Sequence, residues 1–270
     1  MDAGPPRLEL AQLPTPLHPA ARLSAELGVE VWFKRDDLTG LGLGGNKLRP
    51  LEYLLADAVG QGCDCLVTGA GPQSNWTMLA ALTAIRLGLE PHVVCYGDPA
   101  PEWGNLLLHR RLGTMLSWTG DPDRPSVDAG MDEVGARLRG AGRRPYVVPR
   151  GGATAVGALG YTRATVELDR QLEAVGLRPE TLWLAAGSGG TMAGLILGSA
   201  RLPTSYTVQG VTVSRPDVAM QVDELARGAA ALLGDTDLLG GTDLPGGTDT
   251  LGGAGDLPPA DVLGGWIGAG

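Results

Sequence analysis

The chain has 270 residues, 43% of them hydrophobic and 19% charged, with a formal net charge of −9. That length can bury a real core, in one large domain or two smaller ones. The acidic balance argues against a phosphate backbone as the main partner, because such binding needs a basic face. No run is long and apolar enough to span a bilayer. The opening Met1-Asp-Ala-Gly-Pro-Pro-Arg7 lacks the basic-then-apolar pattern of a secretory signal, so the expected location is the cytoplasm. Cys63, Cys65 and Cys95 have no usual zinc spacing and read as small buried side chains in a reducing compartment, so no metal is expected.

In chain order, Thr15-Pro16-Leu17 lies in a Pro-rich opening that cannot be regular helix. Residues 20–27 have helical spacing and stop at Gly28, and residues 29–34 alternate as a strand. After a glycine-rich loop, Leu48, Leu51, Leu54, Leu55 and Ala58 predict a helix over 47–59, with Pro50 tolerated in its first turn. Strands at 65–68, 92–96, 115–118 and 146–149 then alternate with helices at 76–87, 103–112 and 127–139. A second loop from Arg150 leads into a helix ending near Val175. A strand at 182–186, a helix at 192–200 and a strand at 206–214 follow. Apolar strands alternating with helices predict parallel sheets covered on both faces. Residues 228–270 hold 13 of the 43 glycines and a Gly/Thr/Asp repeat, so a poorly ordered loop with no closing strand or helix is expected there.

Three stretches carry chemistry. Lys47 follows Gly44-Gly45-Asn46 and opens a mostly apolar helix, where desolvation would lower its pKa and leave a nucleophilic neutral amine. Gly187-Ser188-Gly189-Gly190-Thr191 joins a strand to a helix, where free backbone N–H groups and the helix dipole suit a phosphate; structural turn glycines explain it about as well. Gln73-Ser74-Asn75 precedes another helix. Helix capping is the better explanation of it taken alone, and an anion or cofactor ring facing the helix end is the functional one. An amine, a phosphate cradle and a second anion site together suit pyridoxal phosphate.

With these motifs the chain resembles the 1-aminocyclopropane-1-carboxylate deaminase and D-cysteine desulfhydrase family, of the tryptophan-synthase-β-like fold. The resemblance runs through Leu13-Pro-Thr-Pro-Leu17, Lys34-Arg-Asp-Asp37, Gly44-Gly-Asn-Lys-Leu-Arg49, Gln73-Ser-Asn75, Gly157-Ala-Leu-Gly-Tyr161, Gly187-Ser-Gly-Gly-Thr191 and Gly210-Val-Thr-Val-Ser214. It implies a two-domain α/β protein with open parallel sheets flanked by helices. Residues 52–150 would form the small domain, and 1–51 with 151–270 the large, cofactor-binding one. It implies that Lys47 holds pyridoxal 5'-phosphate as a Schiff base and then moves protons. Asn75 would bind the phenolic oxygen of the ring, and Gly187 to Thr191 the phosphate. Ser74 would hold the substrate carboxylate, with Gln73 and Trp76 beside it. The products would be a 2-oxo acid and ammonia, with sulfide from D-cysteine, in a lyase or hydrolytic deaminase. The expected partners are a small amino-acid substrate and a second copy of the chain, with no nucleic acid and no membrane.

Four departures stand against the family pattern. Pro50 replaces a lysine that helps with the phosphate. Trp76 and Met78 replace a His or Gln and an Arg after Gln-Ser-Asn. The Gly/Thr/Asp repeat replaces ordinary family sequence, and the chain stops where the family continues, so it is expected to be C-terminally incomplete. Two alternatives therefore stay open: a non-catalytic or truncated relative that binds the cofactor without efficient turnover, and a different pyridoxal-phosphate reaction such as racemisation or β-replacement.

Overall fold

The computed structural model describes residues 4–212, 217–234 and 257–264. Leu17–Pro19 (β1) pairs antiparallel with Trp32–Lys34 (β2). Helix α1 (Ala21–Leu27) connects them and ends at Gly28. The expected strand 29–34 shrinks to its last three residues, since β1 offers only three partners. A 3-10 turn, Asp36–Leu38, precedes the glycine loop, and α2 (Leu48–Gly60) follows it with Pro50 in its first turn.

The first parallel sheet holds β3 (Cys65–Ala70), β4 (Glu90–Cys95), β5 (Met115–Trp118) and β6 (Pro145–Val147), in the order β5-β4-β3-β6. Its helices are α3 (Asn75–Arg86), α4 (Gly104–Leu112) and α5 (Ser126–Gly140). Side chains alternate across a strand. Cys65 and Val67 accordingly pack with Val127, Met131 and Val134 of α5, while Leu66 packs with leucines of α2 and α3. Both faces are covered, as expected of a continuous apolar run.

The second sheet is built from β7 (Thr181–Ala186), β8 (Thr207–Thr212) and β9 (Asp261–Leu263), all parallel and in that order. It packs with α6 (Ala155–Val175), α7 (Gly190–Ala200) and α8 (Val218–Leu233) around Ala186, Met192, Leu197, Val208, Val222 and Leu233. Here coverage on both faces does not hold among the described residues: Trp183, in the middle of β7, is 58% exposed.

Two further expectations are corrected. Helix α8 is not among the expected elements, although its buried Val218, Val222, Ala226, Ala229, Ala230 and Leu233 recur at helical spacing. No closing strand is expected near the end, yet β9 pairs with Gln209, Gly210 and Val211 of β8. Three residues with no alternation of their own become a strand because β8 offers a free edge. The glycine-rich repeat at 240–253 and the final residues 265–270 lie outside the described residues, as do 213 and 214 of the predicted strand 206–214.

Helices α2 and α6 cross closely. A Cβ placed on Gly160 of α6 would lie 2.4 Å from the carbonyl carbon and oxygen of Arg49. Beside this crossing lies a closed network of charge. The Arg49 guanidinium, only 2% exposed, donates to Asp36 at 2.7 and 2.8 Å and to Glu167 of α6 at 2.9 and 3.0 Å. The Lys34 amine also donates to Glu167, and to the Thr15 carbonyl and Gln171 at 2.7 Å each. The Tyr161 hydroxyl donates to Asp36 at 2.6 Å. Two cations thus balance two carboxylates, with neutral donors filling the remaining lone pairs, and such completeness is what makes a buried ion network tolerable. Burial alone would raise the pKa of Asp36 and of Glu167, but Arg49, with Lys34 on Glu167, holds both below the usual carboxylate range.

Gly160→Ala is expected to force α2 from α6 and to lower stability by about 1–3 kcal/mol, as overpacking does; urea unfolding reads this directly. Because both carboxylates are held below their unfolded values, they add stability above a pH of about 4, and this is lost as pH falls through the depressed folded-state values. Unfolding free energy is therefore expected to drop between neutral and acid pH, with a smaller drop in Glu167→Gln. An equal drop in both proteins would contradict this origin.

Candidate active site

The chain has only two lysines. Lys34 is paired with Glu167. Lys47 is the N-cap of α2, where burial pushes its amine below the ordinary lysine pKa and, among the described residues, no carboxylate offsets the shift. That is the setting of a neutral, nucleophilic amine. The preceding glycines are there for contact as well as for turning. Gly44 has φ 70°, and a Cβ on it would come within 2.2 Å of the Asp37 carbonyl oxygen. The next carbonyl, of Gly45, accepts from the Thr39 hydroxyl at 2.9 Å. The loop is thereby laid against the 3-10 turn, which in turn holds Arg49.

Between β7 and α7, the turn of Gly187 to Thr191 presents the start of a helix. Gly189 caps α7 with φ 85°, no side chain caps the free N–H groups, and its first turn has no acidic residue. Those conditions favour an anion. The Asn46 amide donates to the Thr191 hydroxyl at 3.1 Å, which ties the residue before Lys47 to this turn. The sequence names Asn46 only within the motif before Lys47 and gives it no role; its spacing from Thr191, 145 positions, leaves no local signal.

The segment after β6 closes the site from the other side. A Cβ on Gly151 would meet the Ser188 hydroxyl at 2.5 Å, and one on Gly152 would meet the Trp76 ring at 2.5 Å. Thr154 then caps α6 by accepting from the Gly157 N–H at 2.9 Å. Asn46–Thr191, Ser188–Gly151 and Gly152–Trp76 therefore form a continuous chain of contacts from the lysine to the start of α3.

At that helix start, Ser74 is the N-cap and accepts from the Thr77 N–H at 3.4 Å, leaving its hydroxyl proton free to donate elsewhere. Asn75 is exposed. Its side-chain carbonyl accepts from Asn105 at 2.9 Å. The polar atoms of two expected substrate contacts have partners within the protein. The Gln73 amide is spent at both ends, accepting from the Asn105 N–H at 2.8 Å and donating to the Trp103 carbonyl at 3.0 Å. Trp76 is 3% exposed and its indole N–H donates to the Thr68 hydroxyl at 2.8 Å, so it serves as a wall packed against Gly152. Met78 fills the core next to α2, and Pro50 is buried at the α2–α6 crossing.

A half-buried, desolvated amine with no ion-pair partner among the described residues, beside an uncapped, acid-free helix start, fits an aldehyde that carries a phosphate. Comparison with known proteins agrees. Residues 8–233 match the family described as pyridoxal-phosphate dependent enzymes. A crystal structure described as an ACC deaminase homologue superposes with a TM-score of 0.82 at 35% identity, covering 96% of this chain and 73% of that one. A D-cysteine desulfhydrase of Klebsiella pneumoniae is 42% identical over 219 residues, 78% of this chain and 65% of its own length. A Pyrococcus abyssi protein provisionally named a 1-aminocyclopropane-1-carboxylate deaminase is 44% identical over 209 residues, 77% of this chain. The chain spans 63% of that relative's length. A threonine deaminase structure, at 24% identity and a TM-score of 0.60, shares the fold. With its parallel sheets, its helix-start turn and a family match that takes in both, this chain belongs to the pyridoxal-phosphate dependent enzymes.

Proposed function

We propose a deaminase or lyase function on a small amino acid, of the D-cysteine desulfhydrase or 1-aminocyclopropane-1-carboxylate deaminase kind. The products are a 2-oxo acid and ammonia, with sulfide if the substrate is D-cysteine. The observation that carries this reading is Lys47: one of two lysines, desolvated, without a carboxylate, and tethered through Asn46 to the turn of Gly187 to Thr191. When bound, pyridoxal 5'-phosphate supplies an aldehyde for an amine and a ring that draws electrons from the substrate carbons.

The remaining chemistry belongs to the protein. Gly187, Ser188, Gly189, Gly190 and Thr191 hold the phosphate through backbone N–H groups and hydroxyls. Asn75 donates to the phenolic oxygen of the ring. Ser74 and the first amides of α3 hold the substrate carboxylate, and the amine of Lys47 moves a proton at the reacting carbon. Gln73 and Trp76 are assigned to support of this site, because their polar atoms are engaged by Trp103, Asn105 and Thr68. A lyase-type deamination is favoured over hydrolysis by the likeness to a D-cysteine desulfhydrase and a provisionally named 1-aminocyclopropane-1-carboxylate deaminase. Residues 52–150, which contain the first sheet, are proposed as the small domain, and 1–51 with 151–270 as the large one. Two copies are proposed to associate. Three unpaired cysteines favour the cytoplasm, and among the described residues no helix is long and apolar enough to cross a membrane.

A second reading, a relative that binds cofactor without efficient turnover, is favoured by the buried Pro50, Trp76 and Met78 where the family resemblance places polar groups. Cofactor titration separates the two in stages. The purified protein is expected to turn yellow with pyridoxal phosphate, and Lys47→Ala is expected to stay colourless. Release of a 2-oxo acid from D-cysteine or 1-aminocyclopropane-1-carboxylate is expected to fall at least about 100-fold in the same variant, as for loss of a positioned proton-transfer group. Colour without turnover of any small D- or L-amino acid would favour the second reading. No colour at all would sink both.

A further inference from the structure

We propose that Asn105, at the start of α4, is a positioning residue that sets which end of the Asn75 amide faces the cofactor; this rests on the reading of Lys47 and Asn75 as a pyridoxal-phosphate site. Asn105 is buried at 8% exposure. It lies 30 positions from Asn75 in a different helix.

An amide side chain has one donor end and one acceptor end, and the two are told apart by partners that can play only one role. Here such partners form an ordered series. The backbone N–H of Asn105 can only donate, so the Gln73 side-chain oxygen must face it, at 2.8 Å. The Gln73 NH2 end then donates to the Trp103 carbonyl at 3.0 Å, which agrees. The backbone carbonyl of Gln73 can only accept, so the Asn105 NH2 end must face it, at 2.9 Å. That same NH2 donates to Asn75 at 2.9 Å, so the Asn75 oxygen must face Asn105. The Asn75 NH2 is thereby turned away as the donor end, on an exposed residue at the start of α3.

The clamp is closely built. Gly104, with φ +56°, leads into it, and a Cβ there would lie 2.5 Å from the Gln73 side-chain oxygen. A donor fixed in this sense stabilises a negatively charged phenolic oxygen. An amide held the other way would present its oxygen and repel that charge, and one free to turn would have to be ordered on binding.

Asn105→Asp keeps the size of the side chain and replaces its donor end by an acceptor. Asn75 then gains by rotating its NH2 toward position 105. The expected result, in protein loaded with pyridoxal phosphate, is a fall in the visible band relative to the near-ultraviolet band across a pH series. Cofactor affinity is expected to fall about tenfold, the scale of one lost hydrogen bond to a charged group. In an Asn75→Ala background the same substitution is expected to change neither readout by more than about twofold, because the two residues act through one bond. If the aspartate variant does not fold, Asn105→Ser, shorter and neutral, removes the amide donor without adding a charge, and a smaller shift in the same direction is expected, again only when Asn75 is present.

A normal band ratio in the folded variant overturns the inference while leaving the cofactor site standing. So does an equal change with and without Asn75, which marks a merely structural role. A wild-type protein that takes up no cofactor overturns the site and the inference together.

Discussion

Arg49 is a buried cation two residues from the proposed catalytic amine, and the network around it draws on four parts of the chain. It donates to Thr15 of the N-terminal arm, Asp36 of the 3-10 turn and Glu167 of α6, while Lys34 of β2 donates to Glu167 and Tyr161 of α6 to Asp36. Removing one member of such a closed set leaves an uncompensated charge in a dry interior, typically at a cost of about 3–5 kcal/mol. The start of α2 is therefore among the most constrained points of the backbone. Lys47 gains a fixed position from this without itself entering the network. That separation matters chemically, because a carboxylate beside Lys47 would hold its amine protonated. Lys34 shows the contrast: burial lowers its pKa as well, but Glu167 opposes the shift.

The same constraint explains how two sheets serve one site. The first sheet brings the start of α3, with Ser74 and Asn75, while the second brings the start of α7, with the turn of Gly187 to Thr191. Neither packs a common core with the other; the buried clusters around them are distinct. They are joined by α2 against α6, by Asn46 against Thr191, and by the glycines after β6 lying under Ser188 and Trp76. Small residues at these crossings let backbones and rings approach to contact, so the site's geometry depends on positions that carry no functional group.

Much of this was legible in the sequence. The alternation of apolar strands with helices was, because continuous burial leaves a continuous apolar run. The place of Lys47, after a glycine run and at the start of an apolar helix, was legible too, and Ser74 read correctly as a cap. What stayed hidden depends on distant partners. Arg49 finds Glu167 at a separation of 118 positions and Asn46 finds Thr191 at 145, and no local pattern records either. Strand β9 exists because β8 has an open edge. Helix α8 is different: its spacing was present and was overshadowed by the glycine-rich segment that follows it. Gln73 and Trp76 illustrate the limit of adjacency: beside a proposed site residue, their polar atoms are engaged by Trp103, Asn105 and Thr68.

The central claim is that the desolvated, unpaired amine of Lys47 is the one that engages the cofactor aldehyde. Borohydride reduction of protein loaded with pyridoxal phosphate, followed by peptide mass mapping, tests this directly, because the chain has only one other lysine. The mass gain is expected on the peptide containing Lys47, with Lys34 unmodified. A gain on Lys34, or none on either lysine in protein that has taken up the cofactor, would contradict the account.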